Sequence, residues 1–248
     1  MTAQLLQNDL NFVVRRIPKD VRELLSKYYN TLFLGGGFIR AVVAGEVPSD
    51  IDLFGPSKEL LRNMAKELQA SRGGREKCLL HETKNAISLI CHGRTVVQFI
   101  TRWTYSDAES LTASFDFTVC QASVYRTGAD KNAPWASSVS PRFYIDLAAK
   151  RIVYTHPVRD EEAGGSLMRV LKYQKRGYAI QVESLAGVIA RLMAALDKSR
   201  TDIADQQRTT FVLKGLLQEV DPSIAVDGLE VTDDHETPID GLDSGEQL

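Results

Sequence analysis

The sequence predicts an α/β fold followed by a helical region and an acidic tail. Short apolar runs alternate with amphipathic helical patterns up to about residue 157, which predicts the α/β part. Beyond Gly165 the apolar residues recur at helical spacing only. Residues 221–248 hold nine acidic residues, no lysine or arginine and few large apolar side chains, so we expect a flexible tail. The expected domains are therefore 1–157, 158–220 and 221–248.

The first half of the α/β part mixes helices with two buried strands. The spacing predicts helices over 3–13 and 18–30, a strand over 31–34, a helix over 38–44, a strand over 51–54 and a helix over 58–70. Ser57 can cap the last of these helices through its hydroxyl. Residues 71–75, which contain two glycines, predict a mobile loop.

The patterns in the later part of the chain predict mainly strands first and then helices. The patterns predict strands over 77–82, 86–92 and 95–101, a helix over 106–113, a strand over 115–125, a loop over 127–141, and a hairpin of 142–147 with 151–154. Three further helices are expected over 166–179, 182–198 and 203–219.

Composition excludes several classes of protein. The chain has 248 residues, of which 44% are hydrophobic and 25% charged, so it is not mainly disordered or fibrous. No apolar stretch approaches the roughly 18 residues that span a bilayer, and we see no secretory signal. Three cysteines form an odd, sparse set, which argues against a disulfide scaffold and for a reducing, cytoplasmic setting.

The charge is unevenly distributed. The 220 residues before the tail hold 30 basic and 23 acidic side chains, a net charge of +7, although the whole chain carries −2. A mildly basic body is compatible with a nucleotide or nucleic-acid partner and does not by itself establish one. An acidic tail that only increases solubility is the alternative to a tail with a binding role.

A glycine turn follows the first predicted strand. Gly35, Gly36 and Gly37 lie between that strand and the helix that contains Arg40. Backbone N–H groups at such a turn can face an anion, and glycine lets a phosphate approach without a Cβ clash. The turn matches neither a Walker A loop nor a dinucleotide-binding fingerprint, and on its own it could equally be a tight packing turn.

Two aspartates follow the next short helix. Asp50 and Asp52 are two apart on a predicted strand, so both side chains point to one face. Two ionised carboxylates at such a distance repel unless a cation lies between them. Their hard oxygen ligands favour Mg²⁺ or Mn²⁺, and such a pair can hold metal ions across a transferring phosphoryl group. The aspartates and the glycine turn together therefore predict a nucleotide site.

These residues resemble a known family. The segments Gly36-Gly37-Phe38-Ile39-Arg40 and Pro48-Ser49-Asp50-Ile51-Asp52 are similar to the head motif of CCA-adding enzymes and bacterial poly(A) polymerases. Phe115-Asp116-Phe117-Thr118 resembles the Arg-Arg-Asp-Phe-Thr motif of the same enzymes, and Asp146-Leu147 resembles the segment after it. The enzymes belong to the polymerase-β-like nucleotidyltransferase superfamily. The resemblance, over roughly residues 25–180, implies a mixed sheet flanked by helices and a short helical neck.

The resemblance also implies roles for individual residues. Asp50 and Asp52 would bind the catalytic Mg²⁺ or Mn²⁺. The turn glycines, among them Gly36 and Gly37, would cradle the nucleotide phosphates together with Arg40. Asp116 would contact the ribose or serve as a third catalytic carboxylate, and these two roles stay open. Gln98 would lie where a third acid often stands in the superfamily.

Some residues depart from the family pattern. Ala41 stands where the family has Asp, and Ser114 and Phe115 replace the two arginines before Asp116. The further domains that clamp tRNA in longer members are not evident. These departures weaken the assignment as a CCA-adding enzyme more than the assignment as a nucleotidyltransferase.

A basic helix face follows the α/β part. Arg169 and Lys172 share one face of the predicted helix with Arg176 and resemble the arginine-rich first neck helix of the family. The functional interpretation is that Arg169 and Lys172 bind the triphosphate or a nucleic-acid backbone. The alternative is a solvated surface.

We therefore expect a metal-dependent nucleotidyltransferase that moves an NMP from an NTP to a hydroxyl and releases pyrophosphate. An RNA 3′ end, tRNA-like by analogy, is the expected acceptor, and no membrane partner is expected. One alternative is a toxin-like or defence-type nucleotidyltransferase that modifies RNA or protein. The other is a non-catalytic nucleotide- or RNA-binding protein on a degenerate fold of this type.

Overall fold

The computed structural model describes residues 3–130, 132–157 and 163–198, together with 209, 210, 212 and 213. The chain divides into two compact units, Met1–Pro157 and Val158–Leu248. The expected tail over 221–248 lies outside the described residues, and so does most of the expected helix over 203–219. No helix in the part of the chain that the structure describes is long and apolar enough to cross a membrane.

The first unit consists of helices and strands in mixed order. Its elements are α1 (Gln7–Arg16), α2 (Lys19–Lys27), β1 (Phe33–Gly35), α3 (Gly37–Val43), β2 (Asp50–Phe54), α4 (Lys58–Ser71), β3 (Cys78–Glu82), β4 (Ala86–Cys91), β5 (Val96–Ile100), α5 (Ala108–Ser114), β6 (Ala122–Arg126), β7 (Trp135–Val139), α6 (Phe143–Ala148) and β8 (Arg151–Ile152). Short 3₁₀ turns span Gly74–Glu76 and Thr118–Cys120. Ser57 caps α4 as predicted, because its Oγ accepts a hydrogen bond from the Leu60 backbone N–H.

Seven of these strands form one mixed sheet in the order β3-β4-β5-β2-β1-β6-β7. β2 and β5 run parallel, and the other five neighbouring pairs run antiparallel. Helix α4 contacts β3, β4 and β5, while α5 contacts β1, β6 and β7. The predicted α/β architecture, a mixed sheet flanked by helices, is confirmed.

The two faces of the sheet differ in polarity around its centre. One face carries apolar side chains that have no solvent exposure: Leu34, Ile51, Leu53, Val97, Phe99 and Val124. The opposite face is apolar at one end only, where Phe33, Phe54 and Ile100 pack with Ala108 and Leu111 of α5. The remainder of that face holds the polar residues described below. Around its centre the sheet thus has one buried apolar side and one side that carries polar groups.

Four sequence predictions are wrong in detail. The expected loop over 127–141 contains strand β7, whose small polar residues are held by pairing with β6. The expected hairpin arm over 142–147 is helix α6, which an Arg142–Asp146 ion pair at i,i+4 spacing supports. The expected strand over 115–125 begins only at Ala122. The expected loop over 71–75 is shorter than predicted, because α4 extends to Ser71 and a 3₁₀ turn begins at Gly74.

The cysteines also differ from the expectation. Although the sparse cysteine set predicts no disulfide scaffold, Cys78 of β3 and Cys91 of β4 form a disulfide. They are direct partners in an antiparallel pair, and their Cα atoms lie 4.4 Å apart, within bridging range. The register between β3 and β4 brings the two cysteines together, and their spacing along the chain does not predict this pairing. Cys120 is buried.

The second unit contains helix α7 (Ala163–Lys175), the short strand β9 (Ala179–Ile180) and helix α8 (Val182–Lys198). Helix α7 ends before Gly177, which has a φ of +81°, so the predicted helix over 166–179 is shorter at its C-terminal end than expected. Val170, Tyr173 and Tyr178 are buried, and the two tyrosine rings meet edge to face at 5.5 Å. α7 contacts α8, as expected for a helical hairpin.

An ion pair connects α2 to the end of α4. The Arg72 guanidinium donates to both carboxylate oxygens of Asp20, at 2.8 and 3.3 Å, and Arg94 adds a further contact at 3.1 Å. Partial burial alone would raise the pKa of Asp20, but Arg72, the Val21 backbone N–H and Arg94 hold that pKa below its ordinary value. This pair therefore joins the C-terminal end of α4 to α2.

We expect Asp20→Asn to lower the free energy of unfolding near pH 7 by about 1.5–3 kcal/mol, because it leaves the buried Arg72 charge without its carboxylate. A lowered pKa means that the stabilisation is present above about pH 4 and is lost as the pH falls further. Urea unfolding at a series of pH values measures this. Glu23→Gln, in an exposed pair on the same helix, is the control and should have little effect. An equal loss at pH 3 and pH 7 would contradict the assignment.

Candidate active site

Strand β2 presents Asp50 and Asp52 on the polar side of the sheet. Asp50, Asp52 and Phe54 alternate with the buried Ile51 and Leu53 along this strand. Both aspartates are half-buried, and the Asp52 Oδ1 atom itself is buried. The Ser49 hydroxyl donates to Asp50 Oδ1 at 3.0 Å, which orients that carboxylate. The predicted pair of carboxylates on one strand face is present.

A row of polar side chains crosses the sheet through Asp52. Direct pairing places Gln98 of β5 opposite Asp52, and Gly35 of β1 on its other side. The row continues to Ser88 of β4 in one direction and to Ser123 and Ser138 in the other. Residues directly opposite each other in a ladder share a face. We call these residues, Ser88, Gln98, Asp52, Gly35, Ser123 and Ser138, the polar row.

Hydrogen bonds connect several outer members of the polar row to protein groups, although Gln98 Oε1 and Ser138 Oγ are buried without a hydrogen-bond partner among the described residues. The Gln98 amide donates to the Ser88 hydroxyl at 3.4 Å, and both side chains are buried. On the other side, Ser123 Oγ lies 2.9 Å from the Thr112 hydroxyl of α5, which also donates to the Ser138 carbonyl. Asp52 lies between these buried groups and keeps partial exposure. The carboxylate is therefore the part of the row that a ligand from solvent can reach.

The three turn glycines have different surroundings. A Cβ added at Gly35 would meet the Phe115 ring at 2.9 Å and the Phe54 ring at 3.0 Å. Gly36 has a φ of +73°, a Cβ there would lie 3.1 Å from Phe115, and its N–H donates to the Ala122 carbonyl. These contacts give Gly35 and Gly36 a role in close packing within the fold. The Gly36 N–H is therefore engaged within the protein, and the phosphate role predicted for Gly36 stays a prediction.

Gly37 is the open member of the turn. A Cβ added there would meet nothing within 4 Å, and Gly37 is the first residue of α3. Of the three glycines it is the one beside which a phosphate group has room. The phosphate role predicted for the turn is therefore kept as a proposal for Gly37.

Arg40 is buried and does not face a ligand from solvent. Its side chain is 1% exposed and forms an ion pair with Glu46, which lies in the loop between α3 and β2. The Glu46 N–H also donates to the Ala41 carbonyl at 2.8 Å. Arg40 therefore braces the loop that leads into Asp50, and the nucleotide contact that the resemblance implies for it stays a prediction.

Asp116 lies in a buried segment between α5 and the 3₁₀ turn at Thr118–Cys120. Its side chain is 5% exposed, and its carbonyl accepts a hydrogen bond from the Thr155 backbone N–H at 2.9 Å. The neighbouring Phe115 ring covers Gly35 and Gly36 and packs edge to face on Phe54 at 5.7 Å. Asp116 thus directly follows the residue whose ring covers the glycine turn.

Arg169 and Lys172 lie in the second unit, on α7. Both side chains are partly exposed, while Val170 and Tyr173 on the same helix are buried. The phosphate role predicted for these two basic residues stays a prediction.

A family profile described as "Gabija anti-defense 2 family protein" matches residues 4–150, more than half of the 248-residue chain. The chain belongs to the Gabija anti-defense 2 family. The matched range covers most of the first unit, including β2, the glycine turn and Asp116. None of the curated proteins compared with this Gabija anti-defense 2 chain matches it.

Solved structures resemble the Gabija anti-defense 2 chain in fold. The Thermotoga maritima CCA-adding enzyme complexed with tRNA_CCA has a TM-score of 0.56 and 18% identity, covering 90% of this chain and 53% of the enzyme. CCA-adding enzyme structures with CTP and with ATP have TM-scores of 0.55 and 0.54, identities of 17% and 20%, and coverages of 84% and 86% of this chain. The matches cover 50% and 51% of those two enzyme chains, so this chain spans about half their length. At these identities the likeness shows the fold alone, and it confirms the predicted mixed α/β fold, which is similar to the head of CCA-adding enzymes.

Two residues of the Gabija anti-defense 2 chain matter more than the sequence suggested. Phe115 is a departure from the family motif in sequence, and in the structure its ring covers two of the three turn glycines. Asp146 has no solvent exposure and binds two arginines and a threonine. The four-residue spacing of Arg142 and Asp146 predicts an ion pair between them, but only when the segment is interpreted as a helix.

We expect Gly36→Ala to reduce stability by about 1–3 kcal/mol, because its backbone conformation suits glycine alone and the Phe115 ring crowds the new methyl group. Gly37→Ala is the matched control one residue away. Its stability should be unchanged or raised by up to about 1 kcal/mol, since alanine favours a helix. Chemical unfolding of both variants measures the difference. Equal losses would contradict the assignment of open space to Gly37 alone.

Proposed function

We propose that this Gabija anti-defense 2 protein is a nucleotidyltransferase that moves an NMP from an NTP to a hydroxyl acceptor. The acceptor oxygen would bond to the α-phosphorus and lose its proton to solvent. The bond between the α-phosphorus and the oxygen that it shares with the β-phosphorus would break, and pyrophosphate would leave. The observation that carries the proposal is the placement of Asp50 and Asp52 on the polar side of the sheet, one strand away from the glycine turn. The likeness in fold to CCA-adding enzyme structures with CTP and ATP supports it.

The two aspartates suit a divalent metal. Their carboxylate oxygens are hard ligands, and both side chains keep partial exposure on one strand face. In the part of the chain that the structure describes, no group of three or more His, Cys, Asp or Glu residues gathers to form a closed metal cage. Mg²⁺ commonly completes its shell with water and substrate phosphates when a protein offers one or two carboxylates. Asp50 and Asp52 would therefore hold Mg²⁺ or Mn²⁺ together with the NTP.

A neutral amide changes the charge of this site. Gln98 is the direct neighbour of Asp52 on β5, where the superfamily often has a third acid. With glutamine there, the carboxylates of β2 give a charge of about −2 before metal binds, because an amide adds none. A bound metal would supply the positive charge that offsets the charge of the transferring phosphoryl group. We propose that Asp116 serves the nucleotide ribose or the metal pair, and that Gly37 accommodates a phosphate.

The family description bears on the acceptor. It names a role against Gabija, a defence system, whereas tRNA is named only for a structural neighbour twice as long. We propose that the acceptor hydroxyl belongs to an RNA or a protein whose modification counteracts Gabija. An RNA 3′ end remains the first acceptor to test, because the structures that share the fold include a tRNA complex.

Label transfer tests the proposal. The full chain is incubated with each α-³²P-labelled NTP, Mg²⁺ or Mn²⁺, and either total RNA or purified Gabija proteins. Covalent label on RNA or on protein, with release of pyrophosphate, supports nucleotidyl transfer and identifies the acceptor class. Nucleotide binding without label transfer to any acceptor would favour the non-catalytic alternative and contradict the proposal.

We expect Asp50→Asn and Asp52→Asn each to abolish transfer, because each removes one negative charge from the metal site with little change in shape. Far-ultraviolet circular dichroism and unfolding curves check that the fold is intact. Glu82→Gln on edge strand β3 is the control, since it also neutralises an exposed carboxylate of the sheet. Turnover near the wild-type rate in either aspartate variant would exclude a mechanism that needs both carboxylates.

We also propose that Arg169 and Lys172 bind phosphates of the NTP or of the acceptor. Arg169→Ala and Lys172→Ala should then raise KM for the NTP or for the acceptor, each lost charged contact costing on the order of 1.5–3 kcal/mol. Lys175→Ala, at the end of the same helix, is the control. A raised KM for NTP alone indicates a nucleotide contact, and weaker RNA binding alone indicates an acceptor contact. Unchanged kinetics and RNA binding in both variants would leave the basic face a solvated surface.

A further inference from the structure

Asp146 is a fully buried carboxylate outside the proposed site. It lies on α6, has no solvent exposure and accepts a hydrogen bond from the Thr118 hydroxyl at 2.7 Å. Arg142 donates to its two oxygens at 2.9 and 3.0 Å, and Arg151 donates twice to Oδ1, at 2.7 and 3.1 Å. One carboxylate therefore links α6, β8 and the 3₁₀ turn that follows Asp116.

The donors of Asp146 keep it charged. Burial alone would raise the pKa of Asp146, but the hydrogen bonds from Arg142, Thr118 and Arg151 outweigh burial and hold the pKa below its ordinary value. A buried charge with every partner in place is fixed in position, because moving any partner exposes it to a large desolvation penalty. The segments that carry Thr118 and Arg151 are consequently held at a fixed separation.

Those two segments pair with each other around Asp116. The Thr155 N–H donates to the Asp116 carbonyl at 2.9 Å, and the Thr118 N–H donates to the Val153 carbonyl at 3.1 Å. Phe117 and Tyr154 form an antiparallel bridge between these bonds. The Thr155 hydroxyl also donates to the Phe115 carbonyl at 2.7 Å. Residues 153–155 thus fix the backbone on both sides of the Asp116 side chain.

We infer that Asp146 is a positioning residue for Asp116: through Thr118 and Arg151 it sets the register of residues 153–155 against 116–118, and so fixes the backbone of Asp116 and of Phe115, whose ring covers the glycine turn. This inference rests on the proposed function for its effect on turnover. Its structural part stands on the hydrogen bonds alone. Sub-ångström placement of a group at a reacting centre can change a rate by orders of magnitude, so loss of this register should reach the chemistry.

Two arginines allow a matched comparison. Arg151→Gln and Arg142→Gln each remove one guanidinium from Asp146, and each leaves the other in place. Only Arg151 lies on the chain segment that leads directly into residues 153–155. Thr155→Val is a milder second variant, because it removes one hydroxyl and keeps the backbone N–H. Thr127→Val, which removes a comparable hydroxyl bond to the Pro134 carbonyl, is its control.

Amide hydrogen exchange in the full chain, followed by NMR, is the first measurement. We expect exchange at Thr118 and Thr155 to become about tenfold faster or more in Arg151→Gln, and to change less in Arg142→Gln. Thr155→Val should raise exchange in the same segment relative to Thr127→Val. Equal protection in Arg151→Gln and Arg142→Gln would overturn the inference, whether or not the wild type shows nucleotidyl transfer.

Kinetics are the second measurement. In an active wild type, Arg151→Gln and Thr155→Val should lower kcat by about tenfold while KM for the NTP changes little, whereas Thr127→Val should leave both unchanged. Thr155→Ser should restore kcat, since it keeps the hydroxyl. Faster exchange with an unchanged kcat would overturn the positioning role. A wild type that transfers no label would instead contradict the proposed function, and the exchange data would still decide whether Asp146 sets this register.

Discussion

The side-chain alternation along β2 is the constraint on which the rest of the first unit depends. Successive side chains of a strand point to opposite faces. Because Ile51 and Leu53 are buried in the core, Asp50 and Asp52 must point to the other face. That other face cannot then be closed by an apolar helix along its whole length. α5 covers only one end, through Ala108 and Leu111, and contacts the polar row through the hydrogen bonds of Thr112 to Ser123 and to the Ser138 carbonyl. The candidate site is the part of the sheet left uncovered as a result.

Several elements follow from local sequence signals. The strand that contains the aspartates, the capped helix after Ser57 and the tight turn at Gly93, which has a φ of +69°, are set by residues close together in the chain. The pairing of Asp50 with Asp52 belongs to this class, because period-two alternation needs no knowledge of neighbouring strands. This is why the carboxylates of the candidate site could be predicted from sequence together with much of the fold.

Other features depend on register between distant segments, and the sequence does not show them. Gln98 opposite Asp52, Cys78 opposite Cys91 and the Phe115 ring above Gly36 all require a specific alignment across the sheet. Burial also changes a residue's role. Arg40 fits a family motif, yet its pairing with Glu46 makes it part of the scaffold. β7 was missed because its alanine and serines have little intrinsic preference for strands, and pairing with β6 determines its conformation.

The disulfide between Cys78 and Cys91 has a practical consequence for handling the protein. β3 is an edge of the seven-stranded sheet, and an edge strand offers unpaired backbone groups to other chains. The covalent link keeps this strand from slipping along β4, because a slip of one residue would turn its side chains to the opposite face. In buffers that contain strong thiol reductants, hydrogen bonds and packing alone would hold this edge. Aggregation during purification should therefore increase under reduction and start at β3.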